Sequence, residues 1–186
     1  MQNYSDEKLI VEYFKGNKKA FDFLVQRYLK PVYSFSYRYV GNYQQAEDIA
    51  QEVFLKAWRN LKKFDRKKSF KTWVFSIAKN TSIDWLRKKK SIPFSRFENE
   101  EKKNIILEKL TDSSPLPDEL FERNNLSRIL TSAMTNLSTN YRMVLFLRYN
   151  DHFTFREIAE TLEEPLNTVK SRHRRALVLL KNFLKI

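Results

Sequence analysis

Apolar residues recur at three- and four-residue intervals along almost the whole chain, a period that fits helices and not strands. Leu9, Ile10, Tyr13 and Phe14 form the first stripe, and Phe21, Leu24, Val25, Tyr28 and Leu29 the second. Ile49, Val53, Phe54, Ala57 and Trp58 form the third, all of them expected in a core. Strands have little support, because Gly occurs only twice in 186 residues and β-branched alternation is scarce. Local signals set the expected helix ends. Ser5 is expected to cap a first helix that stops at Gly16, and Asn17 to cap a second. Pro31 is expected to bend or restart that second helix, which ends at Gly41-Asn42. A third helix is predicted over 44–61, and a fourth, capped by Ser69, over 70–89. The fold class is all-α.

Residues 93–122 depart from this pattern. Pro93, Pro115 and Pro117 punctuate them, and eight acidic side chains outnumber four basic ones. An acidic, proline-punctuated stretch between basic helical ones reads as a flexible linker. Two small helical domains are therefore expected, over residues 1–92 and 123–186. Each holds only a modest core, so packing against a partner would help both. Ile105, Ile106 and Leu107 predict a docking contact inside the linker.

The charge balance narrows the partners. Lys and Arg number 35 against 22 Asp and Glu, a formal net charge of +13. Such an excess favours polyanions, whose counterions it displaces. No apolar run reaches 18 residues and the start lacks the order of a secretory signal, so a cytoplasmic protein without membrane insertion is expected. With no Cys and two isolated histidines, His152 and His173, neither a metal nor another cofactor is expected. No carboxylate cluster or glycine-rich phosphate loop suggests catalysis, so the reading is a non-enzyme with no small-molecule substrate.

The C-terminal stretch carries a motif. Thr154 and Glu157 have capping-box spacing and open a short helix with Phe155, Ile158, Ala159 and Leu162 on one face. A turn with Pro165 follows, and Asn167 is expected to cap a second helix burying Val169, Ala176, Leu177 and Leu180. Residues 165–186 hold six bases and no acid. A merely solvated helix face normally mixes signs. This is the layout of a helix-turn-helix whose second helix enters a major groove, with Thr168, Lys170, Ser171, Arg172, Arg174 and Arg175 as DNA-contacting candidates.

The run from Glu157-Ile158-Ala159-Glu160 to Thr168-Val169-Lys170-Ser171-Arg172 resembles the promoter −35-reading domain of sigma-70-type factors. It departs from them at Glu163, where the family usually has Gly because a left-handed backbone favours it; strain or an altered turn is expected there. Phe21 to Tyr28, Ala46 to Trp58 and Phe70 to Asn80 are similar, in order, to the family's domain for polymerase and the −10 element. The chain as a whole resembles an extracytoplasmic-function (ECF) sigma factor.

That resemblance gives the residues roles. Asp48, Gln51 and Leu55 make one helical stripe beside Glu52, and an acidic-amide strip with an apolar anchor suits a protein partner better than DNA. In the family this place grips the clamp helices of core RNA polymerase. Residues 62–90 hold eleven bases against two acids, interleaved with aromatics. Lys62, Lys63, Phe64, Arg66, Lys67, Lys68, Lys71, Lys79 and Asn80 are the implied −10 contacts, and the loop over 62–69 is the implied pocket for a flipped base. Implied partners are core RNA polymerase, promoter DNA and an anti-sigma factor. The alternative is a conventional helix-turn-helix repressor or activator whose N-terminal helices dimerise or sense a ligand.

Overall fold

The computed structural model describes residues 3–66, 68–90 and 129–184. The expected linker, with Ile105, Ile106 and Leu107, lies outside them, as does Lys67. The described residues are helical with short connections and include no strand.

The first helix, α1, spans Asp6–Phe14, and the Ser5 hydroxyl accepts from the Lys8 N–H at its start. Asp6 and Glu7 occupy its first turn, where the positive end of the helix dipole favours acids. Asp6 also takes the Arg27 guanidinium and the Tyr28 hydroxyl, which ties α1 to α2. Helix α2 spans Lys19–Val40. Its N-cap is Lys18 rather than Asn17, and it makes no side-chain cap bond. Pro31 neither ends nor restarts it. Leu24, Tyr28, Val32 and Phe35 are buried on both sides of the proline, so packing outweighs the one lost N–H donor. Gly41 closes α2 at φ 69°, and the Asn42 side chain then accepts from the Gln45 N–H to open α3, Tyr43–Asn60.

A short 3-10 turn, Leu61–Lys63, leads into the basic loop, and α4 spans Phe70–Lys90 with Ser69 at its start. In the C-terminal unit, α5 covers residues 129–135 and α6 Thr139–Leu145. A π-helical turn, Phe146–Asn150, continues α6. Helices α7, Phe155–Leu162, and α8, Leu166–Leu184, follow.

Helices α2, α3 and α4 close around Leu24, Val32, Phe35, Ile49, Val53 and Phe75, none of which reaches solvent. This interior does not stop at the N-terminal unit. It runs on through Met143, Val144, Leu147, Phe153, Ile158 and Val169, so the two units share one core. Phe153 meets Phe75 edge-on at 5.0 Å. Burying one such ring is worth about 1.5–3 kcal/mol. Two small units that would be marginal alone have found their packing partner in each other. A smaller cluster, Leu137, Leu145 and Ala176, joins α6 to α8.

Candidate nucleic-acid interface

The core side of α3 is Ala46, Ile49, Ala50, Val53, Phe54 and Ala57. Asp48, Gln51, Glu52 and Leu55 therefore fall on the opposite side, and all four are exposed. Trp58, expected in the core, joins them with 52% of its surface exposed, the same as Leu55. Its spacing from Gln51 and Leu55, seven and three residues, could have placed it there. Glu52 pairs with Lys56 at 2.7 Å.

Between α3 and α4 the chain is held by two apolar pegs, Leu61 and Phe64. Phe64 is buried against Trp73 at 4.8 Å and Phe70 at 6.0 Å, so it is a strut of the loop and not a surface for a base. Lys62, Lys63, Arg66 and Lys68 are exposed around it, with the Arg66 guanidinium 4.4 Å from the Phe14 ring centre. Beside the loop lies a groove of about 470 Å³, lined by Lys56, Asn60, Lys63, Trp73, Ile77, Asn80 and Thr81. Lys56 donates to the Thr81 hydroxyl at 3.1 Å across it. Sequence reasoning missed Lys56, Asn60 and Thr81. The first two lie one turn apart on α3, but only the crossing of α3 over α4 turns them into a wall.

The remaining −10 candidates face the C-terminal unit. Lys71 donates to the Asp151 carbonyl at 2.7 Å and sits 4.0 Å from the Phe153 ring centre. Lys79 donates to the Leu162 carbonyl and to the Glu163 carboxylate, both at 3.0 Å. Asn80 and Ser76 donate to the other Glu163 oxygen, each at 3.2 Å. These bonds, Lys79's first, hold the Glu163 carboxyl below its ordinary value. Glu163 itself has φ 56° and ψ 44°, the left-handed conformation expected to strain a residue with a Cβ. Nearby, Arg38 pairs with Asp151 at 2.9 Å, both side chains largely buried.

The capping box of α7 is complete: the Thr154 N–H donates to Glu157 at 2.7 Å, and the Glu157 N–H to the Thr154 hydroxyl at 3.2 Å. Helix α8 begins at Leu166, so Asn167 lies in its first turn instead of capping it. Val169 and Ala176 are buried as expected, but Leu177 is 40% exposed because α8 here packs mainly on α6 through Ala176. Lys170, Ser171, Arg174 and Arg175 point outward, and Ser171 donates to the Thr168 carbonyl at 2.9 Å. Arg172 does not. It is half-buried and bonded to Glu164. His173, beside it, bonds the Tyr149 hydroxyl at 3.1 Å and meets the Phe155 ring edge-on. Burial, with the Arg148 charge, holds its imidazole below the ordinary 6.5.

Among the described residues no helix is long and apolar enough to cross a membrane, and no group of three or more His, Cys, Asp or Glu could hold a metal ion. A cationic groove, a helix-turn-helix with a basic outer face and a separate acidic-apolar strip fit the sigma-70 layout that the sequence resembles. Family models agree. Residues 24–92 match Sigma-70 region 2 and residues 127–180 match Sigma-70, region 4. The chain is 34% identical to the ECF RNA polymerase sigma factor SigW of Bacillus subtilis, over 96% of both chains. It is 32% identical to the ECF RNA polymerase sigma-E factor of Escherichia coli, over 97% of this chain and 95% of that one. The chain belongs to the sigma-70 family, among its ECF sigma factors. The same fold occurs in CnrH, solved in complex with the cytosolic domain of CnrY, at a TM-score of 0.67, 24% identity and 97% coverage of each chain. It also occurs in the sigma factor RpoE of Bartonella quintana, solved with the anti-sigma factor NepR, at a TM-score of 0.66 and 23% identity, over 90% of this chain and 98% of that one.

Proposed function

We propose that this sigma factor directs core RNA polymerase to promoters through three surfaces. The exposed strip of Asp48, Gln51, Glu52 and Leu55, extended by Trp58, docks on a helical element of the polymerase. The loop cations Lys62, Lys63, Arg66 and Lys68 hold the phosphates of the opened −10 strand, and the groove walled by Asn60, Trp73 and Asn80 takes an unpaired base. Lys170, Ser171, Arg174 and Arg175 read the −35 element from the start of α8. The work divides at the expected boundaries, with polymerase and −10 contacts within 1–92 and −35 contacts within 123–186. The action is cytoplasmic, where the DNA and polymerase are, and an anti-sigma factor is the expected restraint. RpoE of Bartonella quintana, which shares this fold, was solved with the anti-sigma factor NepR, and that supports the last point.

One observation carries the reading. The acidic-apolar strip of α3 and the cationic groove beside α4 lie on one small unit yet ask for opposite partners. A simple repressor has no use for the first of these. In gel shifts the free chain should bind promoter duplex weakly and lose that binding steeply with salt, while addition of core polymerase confers sequence-specific binding. Tight, specific duplex binding by the chain alone would favour the conventional-regulator reading.

A further inference from the structure

We propose that Glu163 stands in for a nucleic-acid phosphate and latches the C-terminal unit over the α4 residues that take the promoter strand. This rests on the reading of α4 given above. One carboxylate here collects an ammonium, an amide and a hydroxyl from a single helix face: Lys79, Asn80 and Ser76, all within 3.2 Å. These are the donor types a strand phosphate would use. Asp151 does the same at the other end of α7, taking Arg38 on its carboxylate and Lys71 on its carbonyl.

Backbone conformation marks the same two places. Among the described residues the non-glycine positions with positive φ are His152, at 54°, and Glu163, at 56°. They flank α7, each at a point where the C-terminal unit is bonded to the N-terminal one. At Glu163 the helix-ending N–H groups of Glu163 and Glu164 bond the Glu160 and Ala159 carbonyls, so the turn is set by its own backbone and presents the carboxylate to α4. Both ends of α7 are thus turned by the C-terminal unit's own backbone and bonded across to α2 and α4.

The consequence is exclusion. Lys71, Lys79 and Asn80 cannot bond Asp151 and Glu163 and a DNA strand at once. The loop cations Lys62, Lys63, Arg66 and Lys68 remain exposed in the closed form, so a strand can land there first and then compete for α4. The closed chain is a self-restrained state, opened by polymerase and promoter together.

The chain has no Cys, so spin labels can be placed by Gln44→Cys on α3 and Asn182→Cys on α8, both exposed. Wild type should show one short label-to-label distance, and saturation with a single-stranded A/T-rich oligonucleotide should lengthen it. Glu163→Gly should populate the long distance without oligonucleotide. Both Glu163→Gly and Glu163→Gln should raise the free chain's affinity for the oligonucleotide about three- to tenfold. Glu163→Gln keeps the Cβ and the strain, so its gain isolates the charge. A gain in Glu163→Gly alone overturns the phosphate-mimic argument. Unchanged distances and affinities in both variants, with oligonucleotide still bound in the presence of core polymerase, overturn the latch. If no variant binds oligonucleotide even with core polymerase, the reading of α4 as a DNA surface is the part that fails.

Discussion

Arg172 and Arg175 lie three residues apart on α8 and look interchangeable in sequence, yet their surroundings separate them. Arg175 is exposed, whereas Arg172 is drawn inward by Glu164. Arg175→Ala should therefore relax preference at one −35 position, by about 1–3 kcal/mol if it holds a guanine edge, as a promoter library would show. Arg172→Ala should leave that preference in place and lower the thermal midpoint instead, by about 2–4 °C for a pair worth about 1 kcal/mol. His173 makes a pH test at the same scale. Its folded imidazole titrates below 6.5 because of burial and Arg148, so the unfolded chain takes up the proton first as pH falls. Its contribution is complete above about pH 6.5 and is lost as pH falls through that value toward the folded one. Melting curves at pH 7.5 and 5.5 should show a smaller drop for His173→Gln, which retains an amide for Tyr149, than for the wild type.

Helices were the legible part of this chain, because their signals are local. Ser5, Ser69 and the Thr154–Glu157 box all cap where their side-chain chemistry predicts. Misreadings fell where packing overrode a local signal. Pro31 is absorbed by buried neighbours on both sides, and Asn17 and Asn167 sit near helix starts without capping them. Trp58 was misplaced because its type suggested core, while its register with Leu55 and Gln51 puts it outside. That correction sharpens a prediction for α3. Asp48→Ala with Gln51→Ala should weaken competition for core polymerase, and Trp58→Ala should weaken it further, all with unchanged helicity by circular dichroism. Large exposed aromatics at interfaces commonly cost 2 kcal/mol or more on truncation, roughly a thirtyfold loss. If Trp58→Ala competes like the wild type, that ring is not in the interface.

At the scale of the molecule the sequence showed three surfaces and hid the fact that two of them meet. Lys71, Lys79 and Asn80 read as DNA contacts because charge and type are visible in a sequence, whereas partners eighty or more residues away are not. The common core of Phe75, Val144, Phe153 and Ile158 predicts that both units melt together. Calorimetry should give a single transition with calorimetric and van't Hoff enthalpies in agreement. Two resolved transitions would mean that the units hold separate cores. Shared packing also has a consequence in time, during synthesis. Lys79 leaves the ribosome well before Glu163, 84 residues later, an interval of about 4–17 s at common elongation rates of about 5–20 residues per second. Throughout it the nascent N-terminal unit carries bare cations and an uncovered Phe75 side of α4 beside the messenger being translated. Each newly made molecule is therefore most open to stray RNA before it is finished, and it gains its restraint only as the last helices emerge.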